Sequence, residues 1–135
     1  MKKLFISCPM RGLSDELITK TRERLHTVAE AHFNEKLEVI DSFFSDEPKE
    51  DIIAKPVWYL GKSLQKLSEA DYMISVDVPD DSFNGVNIEC EVAERYGIKY
   101  FTVDADDIVG LEEVAKIVND EYNRLINEEL DSMKL

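Results

Sequence analysis

Apolar positions along this chain follow two rhythms that alternate from the amino terminus onward. Short runs rich in branched and aromatic residues, Leu4 to Ser7, Glu38 to Phe43, Tyr72 to Val78 and Tyr100 to Asp104, have the length and composition of strands. Between them, apolar residues recur every three or four positions. Leu17, Thr21, Leu25 and Val28 mark the inner face of a first helix, which Ser14 can cap and whose first turn holds Asp15 and Glu16. This helix is expected to fray near Phe33 and Asn34. Pro56 suits the first turn of a second helix, with Val57, Leu60, Leu64 and Leu67 on its inner face and Gly61 weakening its middle. A third helix is expected from Gly85 to Tyr96, stopped by Gly97, and a long fourth carries Leu111, Val114, Val118, Leu125 and Ile126.

The alternation of strand and helix predicts an α/β fold in one domain spanning residues 1–135. Right-handed crossovers wind such strands into a parallel sheet with helices on both faces. The expected architecture is a flavodoxin/Rossmann-like sheet with strand order 2-1-3-4. In that order strands one and three are neighbours, and the loops that follow them, Cys8 to Leu13 and Pro79 to Gly85, open on a common crevice. Ligands of open α/β sheets bind at such an edge. The segment from Ser42 to Lys55 is acidic and aperiodic, and reads as a surface loop that either covers the crevice or is merely solvated.

Charge narrows the partners. Sixteen basic residues against twenty-nine acidic ones leave a net charge of −13, which opposes binding to nucleic-acid polymers and to anionic membranes. No apolar stretch approaches the roughly 20 residues of a membrane span. The apolar run at the amino terminus is too short for a signal peptide, and Cys8 and Cys90 match neither a disulfide framework nor a zinc spacing. A cytoplasmic location is expected. The five glycines stand alone at 12, 61, 85, 97 and 110, so neither a phosphate-binding P-loop nor a dinucleotide fingerprint is present. His26 and His32, six positions apart on one helix, fall on different faces and read as ordinary helix residues. No metal or other cofactor is expected.

Two features carry candidate chemistry. Glu89 sits one turn inside the third helix, directly behind an acidic, glycine-containing loop, where the helix dipole is expected to favour an ionised carboxylate able to act as a nucleophile. An exposed helix glutamate is the plainer alternative. Glu91, two positions on, cannot share one pocket with it. Arg11, with the backbone amides after the first strand, could hold an anion such as a monophosphate, or equally form a salt bridge beside the helix.

The segment Gly85-Val86-Asn87-Ile88-Glu89-Cys90-Glu91-Val92-Ala93 resembles the Gly-x-x-x-Glu-x-x-x-Ala helix of the nucleoside 2-deoxyribosyltransferase superfamily. Phe5-Ile6-Ser7-Cys8-Pro9-Met10-Arg11-Gly12 is similar to its first-strand loop, and the run from Leu64 to Asp71 also fits. The matching features keep their order from residue 3 to about 104 and look closest to a short, often phage- or prophage-encoded branch. The resemblance implies that Glu89 attacks the anomeric carbon of a 2-deoxyribonucleoside or its 5′-monophosphate. The base would leave through an oxocarbenium-like transition state, and a second base or water would resolve the glycosyl-enzyme ester. It also implies that Arg11, Ser7 and the amides of Met10 and Gly12 cradle a 5′-phosphate. Asp81, Ser82 and Asn84, in the loop ending at the substrate-binding Gly85, would meet the sugar or the departing base. Trp58 or Tyr59 would stack on the base, unless helical spacing commits them to the core. Family enzymes associate, so a homo-oligomer is expected, with the apolar face of residues 110–133 as one contact unless it packs on its own sheet. Phe5, Ser63 and Phe83 stand where the family commonly carries a tyrosine, a carboxylate, and an aspartate or serine. These departures keep two alternatives open: a nucleotide-binding module without turnover, and a purely structural or interaction domain.

Overall fold

A computed structural model describes residues 1–8, 13–41, 47–77 and 85–105, together with Lys116, Asp120, Asn123, Arg124, Asn127 and Glu128. Among the described residues, strands β1 (Lys2–Ser7), β2 (Leu37–Val39), β3 (Tyr72–Asp77) and β4 (Lys99–Asp104) form an all-parallel sheet in the order β2-β1-β3-β4. Helices α1 (Asp15–Phe33), α2 (Lys55–Leu67) and α3 (Val86–Arg95) connect them. The α/β class and the strand order are those the sequence predicts.

Successive side chains of a strand point to opposite faces, and the sheet builds one core on each. Leu4 and Ile6 of β1 join Leu37, Tyr72, Ile74 and Val76 under Leu25 and Ala29 of α1. Phe5 and Met73 face the other way, against Leu67 of α2 and Ala93 of α3. Helices therefore cover both faces. Central β3 is buried from Tyr72 through Val76, which explains why its sequence is a continuous run with little polar alternation.

The edges of the elements depart from the pattern for identifiable reasons. Strand β1 starts two residues earlier than its apolar run, because backbone pairing is indifferent to side-chain polarity: Lys2 stands opposite Leu37, and Asp71 accepts from Lys3 N at 2.8 Å. Strand β2 ends at Val39 instead of running to Phe43. Its pairing finishes with Ile40 N donating to Leu4 O at 2.9 Å, and residues 42–46 lie outside the described set. Ser14 caps α1 by accepting from Leu17 N at 3.2 Å, and Asn34 ends it in the left-handed conformation that asparagine tolerates. The buried stripe of α1 is Ile18, Thr21, Arg22, Leu25 and Ala29, rotated from the expected one, with Leu17 and Val28 only half-buried. On α2 only Leu67 is fully buried, and Val57 is 65% exposed. Gly97 follows α3 with φ +78°, the stop anticipated from sequence. Of the expected fourth helix, the six described positions are helical and exposed, whereas Leu111, Val114, Val118, Leu125 and Ile126 lie outside the described residues. No helix among the described residues is long and apolar enough to cross a membrane.

Candidate functional site

The site is built where the chain changes its direction of progress across the sheet. Strands β1 and β3 are direct neighbours, with Ser7 opposite Ser75 at their carboxyl ends, and Ser75 in turn opposite Thr102 of β4. Each lies two residues beyond a core position on the side covered by α2 and α3, so a row of three hydroxyls runs beneath the start of α3. Glu89 enters this row from above. It lies one turn into α3, its N–H donating to Gly85 O at 2.9 Å, and it is only 7% exposed. Ser7 Oγ donates to Glu89 Oε1 at 3.0 Å. Next to it, Cys90 Sγ donates to Ser75 Oγ at 3.2 Å, and Ser75 shares a 2.7 Å hydrogen bond with Thr102 Oγ1.

The plainer alternative, an exposed helix glutamate, does not describe this residue. The expected ionisation is also corrected: burial pushes the Glu89 carboxyl up to about 7, against the downward pull of the Ser7 hydrogen bond. Losing solvation on the inner face of α3 outweighs what a helix N-terminus returns to a negative charge. The consequence is a carboxyl group poised between its two protonation states near neutral pH.

The wall beside Glu89 comes from α2. A Cβ on Gly85 would stand 3.2 Å from Leu60 Cδ1 and 3.8 Å from Glu89 Oε1, so the absence of a side chain there allows the two helices to approach. Trp58 on the same helix is half-buried, meets Tyr59 edge-on at 5.0 Å between ring centroids, and has Lys62 Nζ 5.3 Å from its ring centre. At the end of β1 the half-buried Cys8 thiol is pushed up to about 11 by burial, with the Arg22 guanidinium pulling it down and Glu89 pushing it further up. Such a thiol stays protonated and is a poor nucleophile.

Arg22 is the residue the sequence reading passed over. It is buried on α1, and its Nη2 donates to Ile40 O at 3.2 Å, which brings a guanidinium to the carboxyl end of β2. Spacing alone did not single it out: Arg22 joins the inner stripe with Ile18, Leu25 and Ala29 because α1 is rotated from the expected face.

Of the expected site residues, the structure brings together Ser7, Gly85 and Glu89, with Trp58 on α2; Ser7, expected beside a 5′-phosphate, directs its hydroxyl hydrogen bond to Glu89 instead. Met10, Arg11, Gly12, Asp81, Ser82 and Asn84 lie outside the described residues, as does Phe83. Phe5 is buried in the core beneath α3, and Ser63 is half-buried on α2. Glu91 points away from Glu89 to the exposed face, where Arg95 Nη2 lies 2.9 Å from its Oε1. His26 and His32 serve the fold: one contacts Leu37 O at 2.8 Å, and the other stacks on Phe101 with ring centroids 3.8 Å apart. Among the described residues no group of three or more His, Cys, Asp or Glu side chains is placed to hold a metal ion. No protein-family model, curated protein or solved structure matches this chain, so its chemistry is argued from the geometry of Glu89 and its neighbours.

Proposed function

We propose that this protein cleaves the N-glycosidic bond of a nucleoside or nucleoside 5′-monophosphate, by 2-deoxyribosyl transfer or hydrolysis, with Glu89 as the nucleophile. The observation that carries the reading is a buried glutamate at the carboxyl edge between β1 and β3, held by the Ser7 hydroxyl and titrating near neutrality. In its ionised form Glu89 attacks the anomeric carbon as the bond to the base breaks, and charge builds on the sugar ring. The resulting ester is released by water or by a second base. Trp58, half-buried on α2, is the aromatic residue this reading assigns to stacking on the base, and a net charge of −13 disfavours polymeric nucleic acid as substrate. The sequence resemblance adds a homo-oligomer and a 5′-phosphate held by Arg11 and the loop around it, and the two cysteines outside any disulfide or zinc spacing add a cytoplasmic setting.

Incubation with deoxynucleosides and their 5′-monophosphates, with and without acceptor bases, tests the proposal. Free base or exchanged nucleoside is expected, with a loss of at least ~10³-fold in Glu89→Gln, the scale on which removing a covalent nucleophile acts. If neither product forms, or if Glu89→Gln turns over like the wild type, the reading fails. A nucleotide-binding module without turnover is the second reading, favoured by Phe5, which lies in the core and brings no hydroxyl to Glu89. Its mark is a rise in Tm with nucleotide concentration and no product.

A further inference from the structure

We infer that Ser7 is the positioning residue of Glu89: its hydroxyl holds Oε1 and leaves Oε2 as the oxygen that reacts. The catalytic consequence rests on the function proposed above, but the positioning itself rests only on the geometry.

Ser7 is 1% exposed, so its hydroxyl must find its partner inside the protein, and it donates to Glu89 Oε1 at 3.0 Å. A lone carboxyl group rotates about its terminal torsion and presents its two oxygens alike. One fixed donor breaks that equivalence. The strand also dictates which residue can be the donor, since Phe5 shares the same face two positions earlier and is committed to the core. The last residue of β1 is then the one at the right height.

The neighbouring strand repeats the device. Ser75, the in-register partner of Ser7, takes the thiol of Cys90, the residue after Glu89, and is itself secured by Thr102. Two consecutive residues of α3 are thus tied to two adjacent strands. Because one residue of helix turns the side-chain direction by about 100°, this double tie sets the rotation at which Glu89 points inward. Among the described residues, the titratable group that interacts with this carboxyl is Cys8 after β1, which also feels Arg22 of α1, whereas Cys90 on α3 itself turns its thiol to Ser75. From α2 the apolar Leu60 comes up against Gly85, one turn before Glu89. The Ser7 hydrogen bond draws Glu89 back toward ionisation against its burial.

The test is the titration of the Glu89 carboxyl followed by NMR in the full chain. Ser7→Ala should raise the midpoint by roughly one pH unit, the size of one hydrogen bond to a charged group. Ser7→Cys, closer in size and a weaker donor, should give a smaller rise and serves if the alanine variant folds poorly. Ser75→Ala, whose lost hydroxyl touches Cys90 and Thr102 but not Glu89, should move the midpoint by no more than a few tenths. A midpoint unmoved in both Ser7 variants, or moved equally by Ser75→Ala, overturns the inference. Where base release is detected, the acid limb of the kcat profile should move with the midpoint. A shifted midpoint without any base release would leave the positioning role standing and remove only the proposed reaction.

Discussion

Glu89 costs the fold stability whenever it is charged, and this gives the residue a measurable signature apart from catalysis. Its folded pKa lies above the ordinary value of 4.5, at about 7, so the folded state holds the proton more tightly than the unfolded chain. The stability linked to this group is fully present below about pH 4.5 and is lost as pH rises through 7, at roughly 1.4 kcal/mol per pH unit and up to ~3 kcal/mol in all. Glu89→Gln keeps an oxygen for Ser7 and cannot ionise. Denaturant unfolding at pH 8 should find this variant more stable than the wild type by an amount of that order, and the difference should vanish below pH 5. Equal stability at both pH values would mean that the carboxyl is solvated. Activity should run the other way: a nucleophile must be ionised, so kcat should climb through about pH 7, whereas a glutamate working as an acid would lose activity there. Glu30 shows the opposite sign. It accepts from Leu37 N at 2.9 Å, which holds its carboxyl below the usual 4.5, so its contribution is present above that pH and is lost as pH falls through the folded value.

At the scale of elements, the helices differ in what holds them. Helix α1 has a side-chain cap, a buried stripe and two side chains, His26 and Glu30, that reach the outer backbone groups of Leu37 on edge strand β2. Satisfying those groups closes an edge that would otherwise pair with another chain. Helix α2 lacks a side-chain cap and carries Gly61 in its interior, where an added Cβ would meet nothing within 4 Å. Gly61→Ala should therefore stabilise the protein by about 0.5–1 kcal/mol, read as a higher Tm. The same replacement at Gly97 should do the reverse. There too a Cβ meets open space, but φ of +78° makes the backbone unfavourable for alanine, at a cost of roughly 1 kcal/mol. A pair of variants with opposite shifts would separate helix propensity from backbone strain.

Over the whole molecule, a net charge of −13 on 135 residues repels itself more in the compact state than in the extended one. Raising the salt concentration from about 0.02 to 0.3 M shortens the screening length from ~20 to ~6 Å and should raise the Tm by several degrees. A Tm that falls instead would mean that the ion pairs, such as Lys20 with Glu16 at 3.1 Å, outweigh the repulsion. The same charge leaves a small anion dependent on local cations to approach the crevice. Arg22, brought to the carboxyl end of β2, belongs to that local field.

The fold was largely written in the spacing of apolar residues, because strand and helix periods are local properties of the chain. The continuous apolar run from Tyr72 marked β3 as a buried strand, and Gly97 marked the end of α3. The position of Glu89 in the first turn of a helix was equally legible. Its environment was not. Burial, the bond from a serine 82 positions away and a carboxyl pushed up to about 7 arise only when β1 lies beside β3 and α3 packs across both. The rotation of α1 that carries Arg22 inward, and the half-exposure of α2, depend in the same way on which neighbours each helix meets. Sequence by itself determined the elements and the α/β class, since patterning acts over a few residues. Tertiary structure alone decided the protonation and the partner of the acid, because desolvation and hydrogen bonding are properties of what surrounds a group in space.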